Sequence, residues 1–129
     1  METSIQNISE QQFLAFLEEG ERGRWLRTYK MFKQIQRDPR YRILLEGLHL
    51  LERHQLNKSV PLLKAALNML PFSPSAWQFY AESCFARCLY LDAWEALNHV
   101  QELLRENIFP QVLLERFFVT KALCLHELE

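Results

Sequence analysis

Residues 74–105 read PSAWQFYAESCFARCLYLDAWEALNHVQELLR. Trp77, Tyr80, Ala81 and Cys84 recur at steps of three and four, which predicts one face of a helix over about 74–87. Pro74 suits its first turn, where the ring presets φ and the missing N–H has no intrahelical acceptor. Ala93, Leu97 and Val100 lay out a second apolar face over about 91–105. Only Cys88-Leu89-Tyr90 separates the two, room for nothing but a tight antiparallel helix pair.

The same pattern recurs 34 residues away. Moving back one period carries Trp77 to Ile43, Ala81 to Gly47, Cys84 to Leu50, Ala93 to Ser59, Leu97 to Leu63 and Val100 to Ala66, every one small or apolar. A second period gives Ser9, Phe13 and Phe16, then Trp25, Tyr29 and Phe32, with Gly20 in the turn. Moving forward gives Gln111, Glu115 and Phe118 on one last helix. The expected helices span about 9–19, 22–36, 40–54, 57–70, 74–87, 91–105 and 111–127, and Ser9 with Gln12 forms a capping box at the first. A lone helix pair cannot cover its own apolar face, so pairs must stack. Gly47, Ala81 and Ala93 let helices approach closely, while Phe16, Tyr29, Leu50 and Leu63 fill the remaining space. The predicted fold is an all-α solenoid of antiparallel helix pairs, a single domain over 1–129 with repeats at about 6–39, 40–73 and 74–107 and a terminal helix at 108–129.

This pattern resembles the tetratricopeptide repeat, in which a Trp, then Leu-Gly and Tyr mark the first helix, Ala and Phe the second, and Pro the close. Trp77 stands in the Trp slot, Gly47 and Ala81 in the Gly slot, Ala93 in the Ala slot and Pro71 in the Pro slot. Residues 58–71, KSVPLLKAALNMLP, are the closest local match to a second helix. Trp25 in an Ala slot, Phe13 in a Gly slot and Glu46 in an apolar slot depart from it. The resemblance implies about three and a half repeats whose first helices line a concave groove. That places Leu14, Leu17, Tyr41, Leu44, Leu48, Leu51, Gln78, Glu82, Phe85, Phe109, Val112, Arg116 and Val119 in the groove.

Tyr41, Leu44, Leu48 and Leu51 follow helical spacing on a face that Ile43, Gly47 and Leu50 do not use, so the helix over 40–54 is apolar on two sides. Such a helix wants burial on both, by this chain or by a partner, and a contiguous apolar groove marks an interaction site. The Lys and Asn clamp of the chaperone-tail-binding tetratricopeptide proteins is absent: Glu10, Leu14, Leu44, Leu48, Gln78 and Glu82 stand there. An apolar groove suits an amphipathic helix instead. Size, repeat count and groove character resemble the small type III secretion chaperones that hold a needle subunit or translocator, which implies a helical export substrate as client. The terminal helix carries Leu113, Phe117, Leu125 and Leu128 as a second candidate interface, for a homodimer or a co-chaperone.

Other classes fit less well. The net charge is −1, yet Arg22 to Arg42 holds eight cations against Asp38, and Asp92 to Glu129 holds seven acids against three cations. Arg27, Lys30, Lys33 and Arg37 form one basic stripe, which makes nucleic-acid or acidic-protein binding the alternative reading. Trp25, Tyr29 and Phe32 between them are expected in the core, whereas base stacking needs exposed rings. No His-Glu-x-x-His, phosphate loop or nucleophile elbow occurs, and the four His make no metal pair, so neither an enzyme nor a cofactor is expected. Cys84, Cys88 and Cys124 lack metal spacing and read as small buried hydrophobes in a reducing compartment. No run approaches the roughly 18 apolar residues of a membrane span, and Met1-Glu2-Thr3-Ser4 does not open a secretory signal, so a cytoplasmic location is expected.

Overall fold

The computed structural model describes residues 8–21, 23, 25–106 and 110–129, and for residues 25–27 the backbone alone. Seven helices are described: α1 (Glu10–Glu21), α2 (Trp25–Gln36), α3 (Pro39–Glu52), α4 (Leu56–Met69), α5 (Pro74–Ala86), α6 (Tyr90–Leu104) and α7 (Gln111–Leu128). The described residues hold no strand. Packing is most extensive within the pairs α3–α4 and α5–α6, the pairs stack in chain order through α4 and α5, and α7 rests on α6 and α5 and reaches back to α1.

The period is visible in the backbone itself. α3 and α5 each end in a residue with positive φ, His54 at 59° and Cys88 at 64°, one period of 34 apart. Both ends carry the same bonds: Gln55 N to Leu50 O and His54 N to Leu51 O in one, Leu89 N to Cys84 O and Cys88 N to Phe85 O in the other. This is a Schellman ending, which satisfies the last carbonyls and turns the chain straight into α4 or α6. Starts are equally local. Ser9 and Gln12 bond reciprocally, Ser9 N to Gln12 Oε1 at 2.8 Å and Gln12 N to Ser9 Oγ at 3.2 Å. Ser73 accepts from Ala76 N at 3.1 Å and precedes Pro74 at the start of α5.

Gly47 shows why one slot must be small. A Cβ there would lie 2.7 Å from Leu63 Cδ2, and Leu63 is itself fully buried, so its side chain or the α3–α4 packing would have to shift. One period on, Ala81 belongs to the buried cluster that contains Leu97.

The first pair departs from the period, and this corrects one expectation. Its positive-φ turn residue is Gly23, at 72°, which precedes His54 by 31 positions and not 34. The inward positions of α4 are Ser59, Leu63 and Ala66, all fully buried. Shifted by 31 they fall on Thr28, Phe32 and Ile35, of which Ile35 is buried and the others half-buried. Tyr29, expected in the core, is thereby turned outward and is 58% exposed. The side chain of Trp25 lies outside the described residues.

Two carboxylates tie the start of α1 to the rest. Glu10 accepts from the Tyr41 hydroxyl at 2.9 Å, the Ser73 hydroxyl at 2.6 Å and the Ser75 amide at 2.9 Å, joining the first turns of α1, α3 and α5. Asp38 caps α3 through the Arg40 amide at 3.0 Å, accepts from the Ile8 amide at 2.7 Å, and pairs with the Arg40 guanidinium at 2.9 Å. Burial would raise the Asp38 carboxyl, but the bonds from Arg40 and Ile8 and the Arg40 charge outweigh it and hold it below its ordinary value. A depressed acid contributes stability that is present in full above its unfolded value of 3.8 and is lost as the pH falls through the lower folded value. Asp38→Ala is expected to cost about 2 kcal/mol in urea unfolding, since it removes a cap and leaves the Ile8 amide unpaired. Asp38→Asn should flatten the loss of stability below that value, and an acid profile identical to wild type would show that another group governs it.

Candidate functional site

The expected groove is filled by the chain itself. Leu14, Tyr41, Leu44, Leu48, Leu51, Gln78 and Val112 are all buried, Leu14, Leu44 and Gln78 completely. Leu17, Glu82, Phe85 and Arg116 are half-buried, Val119 is exposed, and Phe109 lies outside the described residues. An open apolar groove is therefore not what the structure holds. The second apolar face of α3 joins the same cluster as Phe13 and Phe16 of α1 and Phe79 of α5. Leu113 of α7 packs on Leu14, closing α7 toward α1. What remains of the concavity is a cavity of about 410 Å³ between Leu17, Leu48, Val112 and Arg116, with Glu21 and Glu52 at its edge.

Polar groups complete this closure. Arg116 makes two bonds to Glu82, Nε to Oε2 at 2.9 Å and Nη2 to Oε1 at 2.7 Å, and its guanidinium lies 4.8 Å from the Phe79 ring centre. Burial would lower the Arg116 pKa, but the bonds and charge of Glu82, with smaller contributions from Glu52 and Glu21, raise it instead. Gln78 Nε2 donates to Glu82 Oε2 at 2.9 Å and to Thr120 Oγ1 at 3.2 Å, and Gln78 Oε1 is the one described buried side-chain acceptor without a partner. Tyr41, placed in the groove by its spacing, spends its hydroxyl on Glu10. Burial, then the nearby Glu10 charge, pushes that phenol well up, so it stays a neutral donor.

The second candidate interface divides. Leu113 and Phe117 are core, at 1% and 3% exposure, because they share the inward face of α7 with Thr120 and Cys124. Leu125 and Leu128 are exposed, at 43% and 39%, and three residues outside the expected set join them: Phe118 at 62%, Val119 (expected in the groove) at 59% and Leu123 at 46%. Phe118, Ala122 and Leu125 follow one another at i, i+4 and i+7, a continuous outward stripe. The repeat explains why it is bare. On α5, Trp77, Tyr80, Ala81 and Cys84 pack against α6. Their counterparts on α7 are Gln111, Leu114, Glu115 and Phe118, of which three are exposed and Leu114 half-buried. Thus α7 presents the face that α5 covers with a second helix.

At the other end of the stack, Lys30, Lys33 and Arg37 are exposed, and the Arg27 side chain lies outside the described residues. Tyr29 is exposed among them, with Lys33 Nζ 5.3 Å from its ring centre.

Cys84 and Cys124 are buried and Cys88 exposed, all as free thiols, and burial pushes the first two upward. Among the described residues no three His, Cys, Asp or Glu side chains gather as metal ligands, and no helix is long and apolar enough to cross a membrane. Comparison with protein-family models, with curated proteins and with solved structures finds no match to this chain.

Proposed function

We propose that this chain is a protein-binding scaffold whose α7 receives an amphipathic helix from a protein partner on its exposed apolar stripe. The observation behind the reading is the stripe of Phe118, Val119, Ala122, Leu123 and Leu125 on a helix that is otherwise well packed. Single exposed apolar side chains are ordinary, whereas a run of them along one helix face is a docking feature. Exposed acids flank it, Glu115 on one side and Glu127 and Glu129 toward the end, so the helix that fits has an apolar face and basic margins. Within that reading, the source of the helix is proposed as an export substrate on the size and repeat count shared with small type III secretion chaperones, without the open groove that the resemblance implies.

A labelled model peptide with a leucine face and lysine margins tests this by fluorescence anisotropy. Wild type is expected to bind it, and Phe118→Asp/Leu125→Asp to bind at least about tenfold more weakly, some 1.4 kcal/mol, with unchanged circular dichroism. Equal binding by the folded variant sinks the reading. A second reading has its own support in Tyr29, exposed beside Lys33: an acidic protein segment, or a nucleic acid, bound on α2. One exposed ring among the described side chains of α2 is a small stacking platform and the net charge of −1 is low for a phosphate-binding domain, which favours the acidic protein.

A further inference from the structure

The two ends of the stack are chemically complementary, and this points to a specific occupant of α7. We infer that copies of this chain associate head to tail, the basic face of α2 on one copy docking on the apolar, acid-flanked face of α7 on the next. The inference rests on the reading of α7 given above and names one partner for it.

Three observations carry it. First, α2 contains no acidic residue and exposes Lys30, Lys33 and, just beyond its end, Arg37. The tyrosine beside them, Tyr29, is exposed because the first turn falls 31 residues before the next, not 34, which shifts the inward positions of α2. Lysine and arginine lay aliphatic stems along an apolar surface while keeping their charge at its edge, so this face can cover Phe118 and Leu125 and still reach carboxylates. Secondly, the cations of α7 are already engaged. Arg116 is bound to Glu82, and Lys121 donates to Gln101 at 3.0 Å and lies over the Trp94 and Phe117 rings. The exposed carboxylates Glu115, Glu127 and Glu129 thus set the sign of the margin.

Thirdly, charge decides between the two ways of pairing copies. A two-fold pairing of α7 on α7 brings Glu115, Glu127 and Glu129 of both copies into one interface, and like charges placed together there oppose the contact. Pairing α7 with α2 replaces that repulsion with attraction. Such a contact is heterologous: each copy keeps a free α2 at one end and a free α7 at the other, so association extends past two copies unless it closes into a ring.

Light scattering on the purified chain, between about 10 and 500 µM in low salt and again in about 0.5 M salt, reads this directly, because exposed charges are strongly screened at the higher value. The mass is expected to rise above the 15.5 kDa of one chain with concentration and to fall back in high salt. Two variants then separate the ends: Lys30→Glu/Lys33→Glu blocks the head, and Phe118→Asp/Leu125→Asp blocks the tail. Each alone should remain a single chain. Mixed, they should form one complex of twice that mass, since one supplies a working tail and the other a working head. A head-blocked variant that pairs with itself overturns the inference in favour of the two-fold contact. A wild type that stays single throughout also overturns it. If that single chain still binds the model peptide on α7, the reading of α7 survives alone; if it does not, both fall.

Discussion

Phe13→Ala is expected to lower the unfolding free energy by about 3–5 kcal/mol, the range for emptying a buried aromatic site. Phe13 is fully buried, and its ring lies 5.1 Å from Tyr41, 6.3 Å from Phe16 and 6.4 Å from Phe79. It is where α1 meets both α3 and α5, so its loss weakens the attachment of the whole first helix. Urea unfolding followed by circular dichroism measures the effect, with Phe72→Ala as control. Phe72 is 82% exposed, and its replacement should change stability by less than about 0.5 kcal/mol. A cost below about 1 kcal/mol for Phe13→Ala would show that α1 is not held by this cluster. The result bears on function, because α1 is one of the helices that cover Leu44 and Leu48.

The second large effect belongs to the pair that joins α5 to α7. Arg116→Ala removes the partner of a carboxylate that is only 19% exposed, leaving Glu82 with the Gln78 amide as its remaining donor. Breaking a fully buried pair in this way costs about 3–5 kcal/mol. Partial solvent access at both groups reduces that to about 2–3 kcal/mol here. The attraction between the two charges does not by itself account for the loss, since much of it comes from stranding Glu82. Replacing both, as Glu82→Gln/Arg116→Leu, should therefore recover at least half of the single-variant loss. A double-mutant cycle reads the coupling, and a value under about 0.5 kcal/mol would mean that the pair contributes little beyond packing. If Arg116→Ala instead leaves stability unchanged, α7 is held by Leu113, Phe117 and Cys124 without its polar contacts.

Some features of this molecule are local, and these were legible in the residues. Ser9 with Gln12, and Pro74, start helices as the residues predict; the caps supplied by Asp38 and Ser73 are equally local, although only the structure shows them. The pairs α3–α4 and α5–α6 follow from apolar periodicity and from turns too short for any other arrangement. Gly47 and Ala81 were legible as close approaches because the pattern recurs with small residues in those slots. Even the exception has a local cause, since Gly23 moves the first turn by three residues and carries Tyr29 out of the core with it.

The choice between core and interface was not legible. Periodicity reports that a face wants to leave water; it says nothing about which neighbour covers it. The leucines of α3 and the stripe of α7 are both apolar runs at helical spacing, yet Leu44 is fully buried and Phe118 is 62% exposed. Leu113 and Phe117 sit on the same helix as Leu125 and Leu128 and have the opposite fate. What separates them is which neighbour each face meets, and that follows from how successive pairs stack, which no single residue encodes. The stacking brings Leu113 of α7 onto Leu14 of α1. The sequence by itself therefore determined the helices, their caps and their pairing, because those depend on contacts near in the chain. The tertiary structure alone decided which apolar surface is left for a partner, because that depends on how α7 meets α1.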